Sequence, residues 1–240
     1  MKNLVVFGDS FQTPSYMMLG THWSEILSIR NNLNLINLSK SGCSTRYVTF
    51  QMLHASDIED SIIIGSHAAS ATRVELLTQE HFVDVYDVDI TSFENYYIPE
   101  RHHDAHMSFI KSLNLFTILS DDSVSAEDKN FLMTKIPSGL LMHIDRWAMF
   151  YGLSQLKFKN KNFLYLSSLL SQSDLFKEAE LLNFFDRKNI MTASELTFTD
   201  YYVDKHATKG FADPGYHTTT ASQFSIADKI EKKLKDNGLL

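Results

Sequence analysis

The chain is poor in the residues that staple, link or anchor proteins. One cysteine, Cys43, in 240 residues excludes an intrachain disulfide and leaves no zinc-type cysteine spacing. Its nine glycines and four prolines form no linker, and no internal repeat or low-complexity tract divides it into modules. No apolar run approaches the roughly 20 residues of a membrane span, and the short "LVVF" at the start is too brief for a signal-peptide core. Basic charge is scarce too. Against 29 Asp and Glu stand 22 Lys and Arg, a net charge of −7, which disfavours bulk attraction to nucleic acid or an anionic membrane. The expectation is a soluble, cytoplasmic protein of a reducing compartment with neither a nucleic-acid nor a membrane partner; mounting on a virion stays open as an alternative.

What the chain does contain is an ordinary globular balance, 44% hydrophobic and 21% charged residues, in a length that buries a proper core. "NLVVF" (residues 3–7) has the profile of a buried parallel strand. "THWSEILSIRNN" spaces Trp23, Ile26, Leu27 and Arg30 along a helix, with Thr21 as its N-cap. "LNLINL" (residues 33–38) reads as a second strand, "STRYVTFQMLHA" as a helix and "SIIIG" (residues 61–65) as a third strand. Strand and helix alternating in this way predict a parallel α/β sheet with right-handed crossovers.

Residues from about 80 to 128 mix acids, histidines and aromatics without a clean period. "MHIDRWAMFYGLSQL" then spaces Met142, Trp147, Phe150, Tyr151 and Leu153 helically, for core or lid packing. "KNFLYLSS" predicts a late strand, "FKEAELLNFF" a helix and "NIMTA" a short fifth strand. Phe224, Ala227, Ile230 and Leu234 align on one side of a C-terminal helix. The expectation is therefore one domain over residues 1–240, with a mainly helical insertion over 80–160 that serves as a lid or as a homo-oligomer interface.

In an open parallel sheet, reactive groups collect outside the carboxyl ends of the strands. Three tips present themselves: "GDS" after the first strand, "SKSGCST" after the second and "GSHAAS" after the third. A fourth block, "FADPGYHTTTASQFSIADKI", supplies an acid and a histidine before the last helix. The order and spacing of these blocks resemble the SGNH (GDSL-type) hydrolases over roughly residues 3–75 and 160–235. The resemblance implies an α/β/α three-layer sandwich of flavodoxin-like architecture, with a mostly parallel five-stranded sheet, that cleaves esters. It nominates Ser10 as nucleophile, Gly42 as a backbone oxyanion donor, His217 as base and Asp213 as the acid behind it. His67 stands where the family carries an asparagine, with Ser66 beside it and Arg73 following, a pattern similar to phage-encoded relatives. Asp213 precedes His217 by four residues rather than two or three, an offset that a bulge at Pro214-Gly215 would absorb. Asp204 and His206 form a rival pair.

Such a set has a clear chemistry. A serine hydroxyl needs an imidazole to accept its proton, and a histidine with an ordinary pKa of about 6.5 is mostly neutral at pH 7. A carboxylate holds the imidazole in the right tautomer, and donors already in place stabilise the oxyanion. The backbone N–H groups of Ser10 and Gly42 take that role, with Ser66 or His67 as a third donor. Arg73 is open between binding an anionic part of the substrate and a surface salt bridge. Asp9 is expected to shape the loop by accepting backbone N–H bonds. In "RHHDAH" (residues 101–106), His102 and His106 would share a helical face, but no third ligand accompanies them, so no metal is expected. Cys43 is not the expected nucleophile, and no organic cofactor is implied.

The resulting expectation is a serine esterase acting on small esters, with O-acetyl groups on carbohydrate suggested by the resemblance alone. The alternatives are a weakened or inactive relative that binds carbohydrate or belongs to a virion, and transfer of the acyl group to an alcohol instead of water.

Overall fold

The structure, a computed structural model, describes residues 1–9, 11–14, 19–40, 43–67, 73–77, 110–114, 125–127, 130, 138–167, 181, 183–192, 195–196 and 220–240, with backbone alone at 73–77, 110–114 and 138–142. Its elements in chain order are β1 (Asn3–Phe7), α1 (Trp23–Asn31), β2 (Asn34–Asn37), α2 (Thr45–Asp57), β3 (Ser61–Gly65), β4 (Arg73–Leu77), β5 (Ile110–Asn114), α3 (Ser138–Phe158), β6 (Asn162–Leu166), a 3-10 turn (Arg187–Asn189), β7 (Ile190–Met191) and α4 (Thr220–Asp236).

Five strands form one sheet in the order β2-β1-β3-β6-β7, every pair parallel. This is the doubly wound, flavodoxin-like order, in which the chain goes out to one side of β1 and returns on the other. The central strands are apolar throughout because both faces are covered. Leu4 to Phe7 and Ile62 to Ile64 have no exposed surface. Side chains alternate between two cores. Leu4, Val6, Ile62, Ile64, Leu164 and Leu166 pack against α1 and α4. Val5, Phe7, Ile63, Phe163 and Tyr165 pack against α2 and α3. The three layers follow from that period of two meeting helices on each side.

Several local expectations change. The N-cap of α1 is His22, not Thr21. Its side chain accepts the Ser24 N–H while Glu25 reaches back to the cap, a capping box with histidine in place of serine or threonine. On α3 the core face runs through Asp145, Met149, Leu153 and Leu156, whereas Trp147 is 78% and Tyr151 54% exposed. Trp147 lies two residues past Asp145, roughly 200° around the helix, so it cannot share that face. On α4 the buried register is Gln223, Ile226, Ala227, Ile230 and Leu234, which leaves Phe224 on the solvent side.

Residues 138–158 fall within the span expected as an insertion, yet α3 packs against α2 as one layer of the sandwich. Within the same span, β5 pairs antiparallel with β4 from Arg73↔Asn114 to Leu77↔Ile110, a ribbon whose sequences carry no clean alternation. No helix among the described residues is long and apolar enough to cross a membrane.

Candidate active site

The strand order reverses beside β1, so the loops after β1 and β3 border the crevice where open α/β sheets bind ligands. The loop after β1 begins at Gly8, whose φ of +142° disfavours any side chain. A Cβ there would stand 2.4 Å from Gln12 Cγ. The Gly8 N–H donates to Gln51 Oε1 at 2.7 Å, and its carbonyl accepts the Lys40 N–H at 3.0 Å and the Cys43 thiol at 3.5 Å. The loop is thus tied to α2 and to the segment after β2.

Asp9 is buried and organises the turn. Its Oδ1 accepts the Phe11 N–H at 3.1 Å, while its carbonyl accepts the Gln12 N–H at 3.0 Å and the Thr13 hydroxyl at 3.0 Å. The structural role expected of Asp9 is the one observed. His22 closes the loop from the other end. Nε2 meets the Phe11 carbonyl at 3.3 Å, and Nδ1 meets the Ser24 hydroxyl at 2.7 Å and backbone N–H at 3.3 Å. Burial pulls the His22 pKa down to about 4, against a smaller upward push from the Phe11 carbonyl. The ring is therefore neutral at pH 7, with its proton on the nitrogen that faces that carbonyl.

A buried hydrogen-bonded chain crosses the edge of the sheet. Gln223 of α4 accepts the Trp23 backbone N–H through Oε1 at 2.8 Å, which satisfies a donor at the start of α1. The Trp23 indole donates to Gln12 Oε1 at 3.0 Å. Gln12 Nε2 then donates to the Ser66 hydroxyl at 3.0 Å, and that hydroxyl donates to the His67 carbonyl at 3.1 Å. His67 Nδ1 meets the Tyr165 hydroxyl of β6 in a short hydrogen bond, and burial lowers the His67 pKa to about 4. From β2, Asn37 Nδ2 joins by donating to the Gln12 carbonyl at 2.8 Å.

Of the residues nominated from sequence, Ser66 and His67 are brought together with the loop after β1 by this chain. Both are buried. The Ser66 hydroxyl hydrogen is already donated inside the protein. Arg73 opens β4, and its side chain is not described. Ser10, Gly42, Asp204, His206, Asp213 and His217, like the histidines of residues 101–106, lie outside the described residues. Sequence reasoning missed Gln12, His22, Gln51, Tyr165 and Gln223. Only His22 carried a signal, the glutamate three residues on that completes its capping box; the others are recognisable through partners distant in sequence.

No protein-family model and no curated protein matches this sequence. Among solved structures, one from Desulfitobacterium hafniense DCB-2, provisionally assigned as a lipolytic protein of the G-D-S-L family, aligns with 98% of this chain and 100% of its own, at 9% identity and a TM-score of 0.48.

Proposed function

We propose that this chain is a serine hydrolase of the SGNH type that cleaves small esters, O-acetyl groups on carbohydrate being the substrate class it implies. The observation that carries this is the double engagement of Trp23. Its backbone N–H bonds Gln223, six residues past His217 in sequence, and its indole bonds Gln12, two residues past Ser10. The two sequence blocks that would have to cooperate share one buried partner.

In this reading the Ser10 oxygen attacks the ester carbonyl while His217 takes its proton and Asp213 steadies the imidazolium. The same proton passes to the departing alcohol as the C–O bond breaks, and water activated by His217 later releases the acid. The Ser10 and Gly42 N–H groups receive the oxyanion, each such donor contributing about 2.7–4 kcal/mol to the transition state. Ser66 has the role of a scaffold, because its hydrogen is committed to the His67 carbonyl. Asp9 and His22 keep the nucleophile loop in shape.

Labelling with a fluorophosphonate and turnover of p-nitrophenyl acetate test the proposal. Wild type is expected to react at Ser10, and Ser10→Ala to lose both label and turnover with its fold intact. Equal rates in the two proteins would refute it, and glycan binding without label would favour a binding module. His217→Ala and His206→Ala distinguish the two acid–base pairs, since only loss of the true base removes turnover.

A further inference from the structure

α3 is covered on one side and open on the other. Asp145, Met149, Leu153 and Leu156 turn into the sandwich, where the three apolar residues join the core shared with α2. The opposite face carries Ile144, Trp147, Tyr151 and Phe158, which are 42%, 78%, 54% and 77% exposed. A surface helix ordinarily gives that side to charged and polar residues. Single exposed aromatics are common, whereas a contiguous row of them marks an interaction site. The spacing here is regular. Ile144, Tyr151 and Phe158 follow one another at seven residues, and Trp147 and Ser154 fall between them. These are the a and d positions of a heptad seam, the pattern by which one helix packs along another.

We propose that this face of α3 pairs with the same face of a second copy of the chain, antiparallel and about a two-fold axis near Tyr151. Symmetry, charge and area select a copy as the occupant. Ile144 and Phe158 stand seven residues to either side of Tyr151. An antiparallel pair therefore sets Tyr151 against its twin and Ile144 against Phe158 twice over. Trp147 then lies over Ser154 and Gln155 of the copy, a large side chain facing smaller ones, as close packing requires. A two-fold interface must complement itself, and the seam holds no charge that would meet its own like. Aromatic side chains bury about 150–250 Å² each, so at these exposures the three rings and Ile144 offer roughly 450 Å² per protomer. Counted on both copies, with the residues between, the pair buries roughly 1,000–1,200 Å², the lower edge of specific interfaces. A reversible dimer with a Kd of about 1–50 μM follows. The pairing stands independently of the hydrolase reading.

Sedimentation velocity from about 1 to about 200 μM brackets that affinity and should show the mass passing from one chain to two. Trp147→Ser combined with Tyr151→Ser alters exposed side chains alone, so the fold should persist, while the Kd rises at least about tenfold. Phe224→Ser removes an exposed ring from α4, on the other side of the sheet, and should leave the Kd unchanged. Under mild oxidation with copper phenanthroline, Tyr151→Cys should link to itself readily and Phe158→Cys much more slowly, because residue 151 alone faces its twin. A single chain at every concentration would overturn the proposal, as would an unchanged Kd in the double variant or an equal loss in Phe224→Ser. Equal linking at residues 151 and 158 would overturn the two-fold register. A monomeric wild type that binds acetylated xylan through Trp147 would give the face to carbohydrate instead and overturn the pairing.

Discussion

The loops after β1 and β3 leave neighbouring strands at the same edge, yet they are held by different kinds of contact. The first takes its turn from partners two to four residues apart, Phe11, Gln12 and Thr13 with Asp9, and is anchored at its start by Gln51 and Cys43. The second is shaped by partners 54 and 98 residues apart, Gln12 with Ser66 and His67 with Tyr165. Each loop also carries a histidine that burial holds near 4. His22 caps a helix and pins a carbonyl, whereas His67 faces a phenol from another strand. Local bonding sets the turn of the first loop, whereas the second is held by side-chain bonds to distant partners and so depends on the completed sheet.

Acid should expose both histidines at once and gives the largest expected effect. An imidazole near 4 in the folded chain and near 6.5 in the unfolded one leaves the unfolded chain with more bound protons between those values. Stability is then fully present above about 6.5 and falls as the pH drops towards 4, by up to about 3 kcal/mol for each histidine. Urea midpoints measured across that window check this. His22→Asn, which keeps a capping residue without the titration, should remove about half of the fall; an unchanged slope would show that the loop after β1 does not contribute.

Next in size, Gly8→Ala places a Cβ at positive φ and 2.4 Å from Gln12 Cγ, and should cost roughly 3 kcal/mol from strain and overpacking together. Thermal unfolding measures it. Gln12→Ala then tests the link between the loops. It leaves the buried Trp23 indole without its acceptor and Ser66 without the donated amide, for about 2–4 kcal/mol, and it should disturb the loop after β3 more than the one after β1. Amide exchange at residues 64–67 against residues 8–13 makes that distinction. Smallest is Arg30→Ala. Its partners Asp228 and Glu231 join α1 to α4 at the surface, and exposed pairs of this kind contribute within about 1 kcal/mol. A larger loss would mean that α4 docks through charge more than through the core beneath it.

Much of the fold was legible because it follows from period and punctuation. The apolar runs of β1 and β3, the alternation of β2 and the helices between them needed only local pattern; the flavodoxin-like architecture was implied by the family resemblance, and the strand order itself came from the structure. Where expectation failed, the cause was a competing face or cap. Trp147 and Tyr151 match a helical spacing, but α3 turns Met149 and Leu153 inward, because those positions meet Val48 and Met52 of α2. Thr21 is a better capping residue than His22 by type, yet only His22 has Glu25 three residues on. At the candidate site, Asp9 could be understood from its neighbours alone. Gln12, Tyr165 and Gln223 could not, since nothing in an isolated glutamine or tyrosine says which distant group it will meet.

The amino-acid sequence by itself determined the alternation of strands and helices and the turn that Asp9 builds, since each depends on side chains a few residues apart. The tertiary structure alone decided which buried polar groups meet: Trp23 with Gln12 and Gln223, Ser66 with Gln12, His67 with Tyr165. The physical reason is that a buried donor must find an acceptor once water is gone, and which acceptor is within reach is a property of the packed sheet, not of the neighbouring residues in the chain.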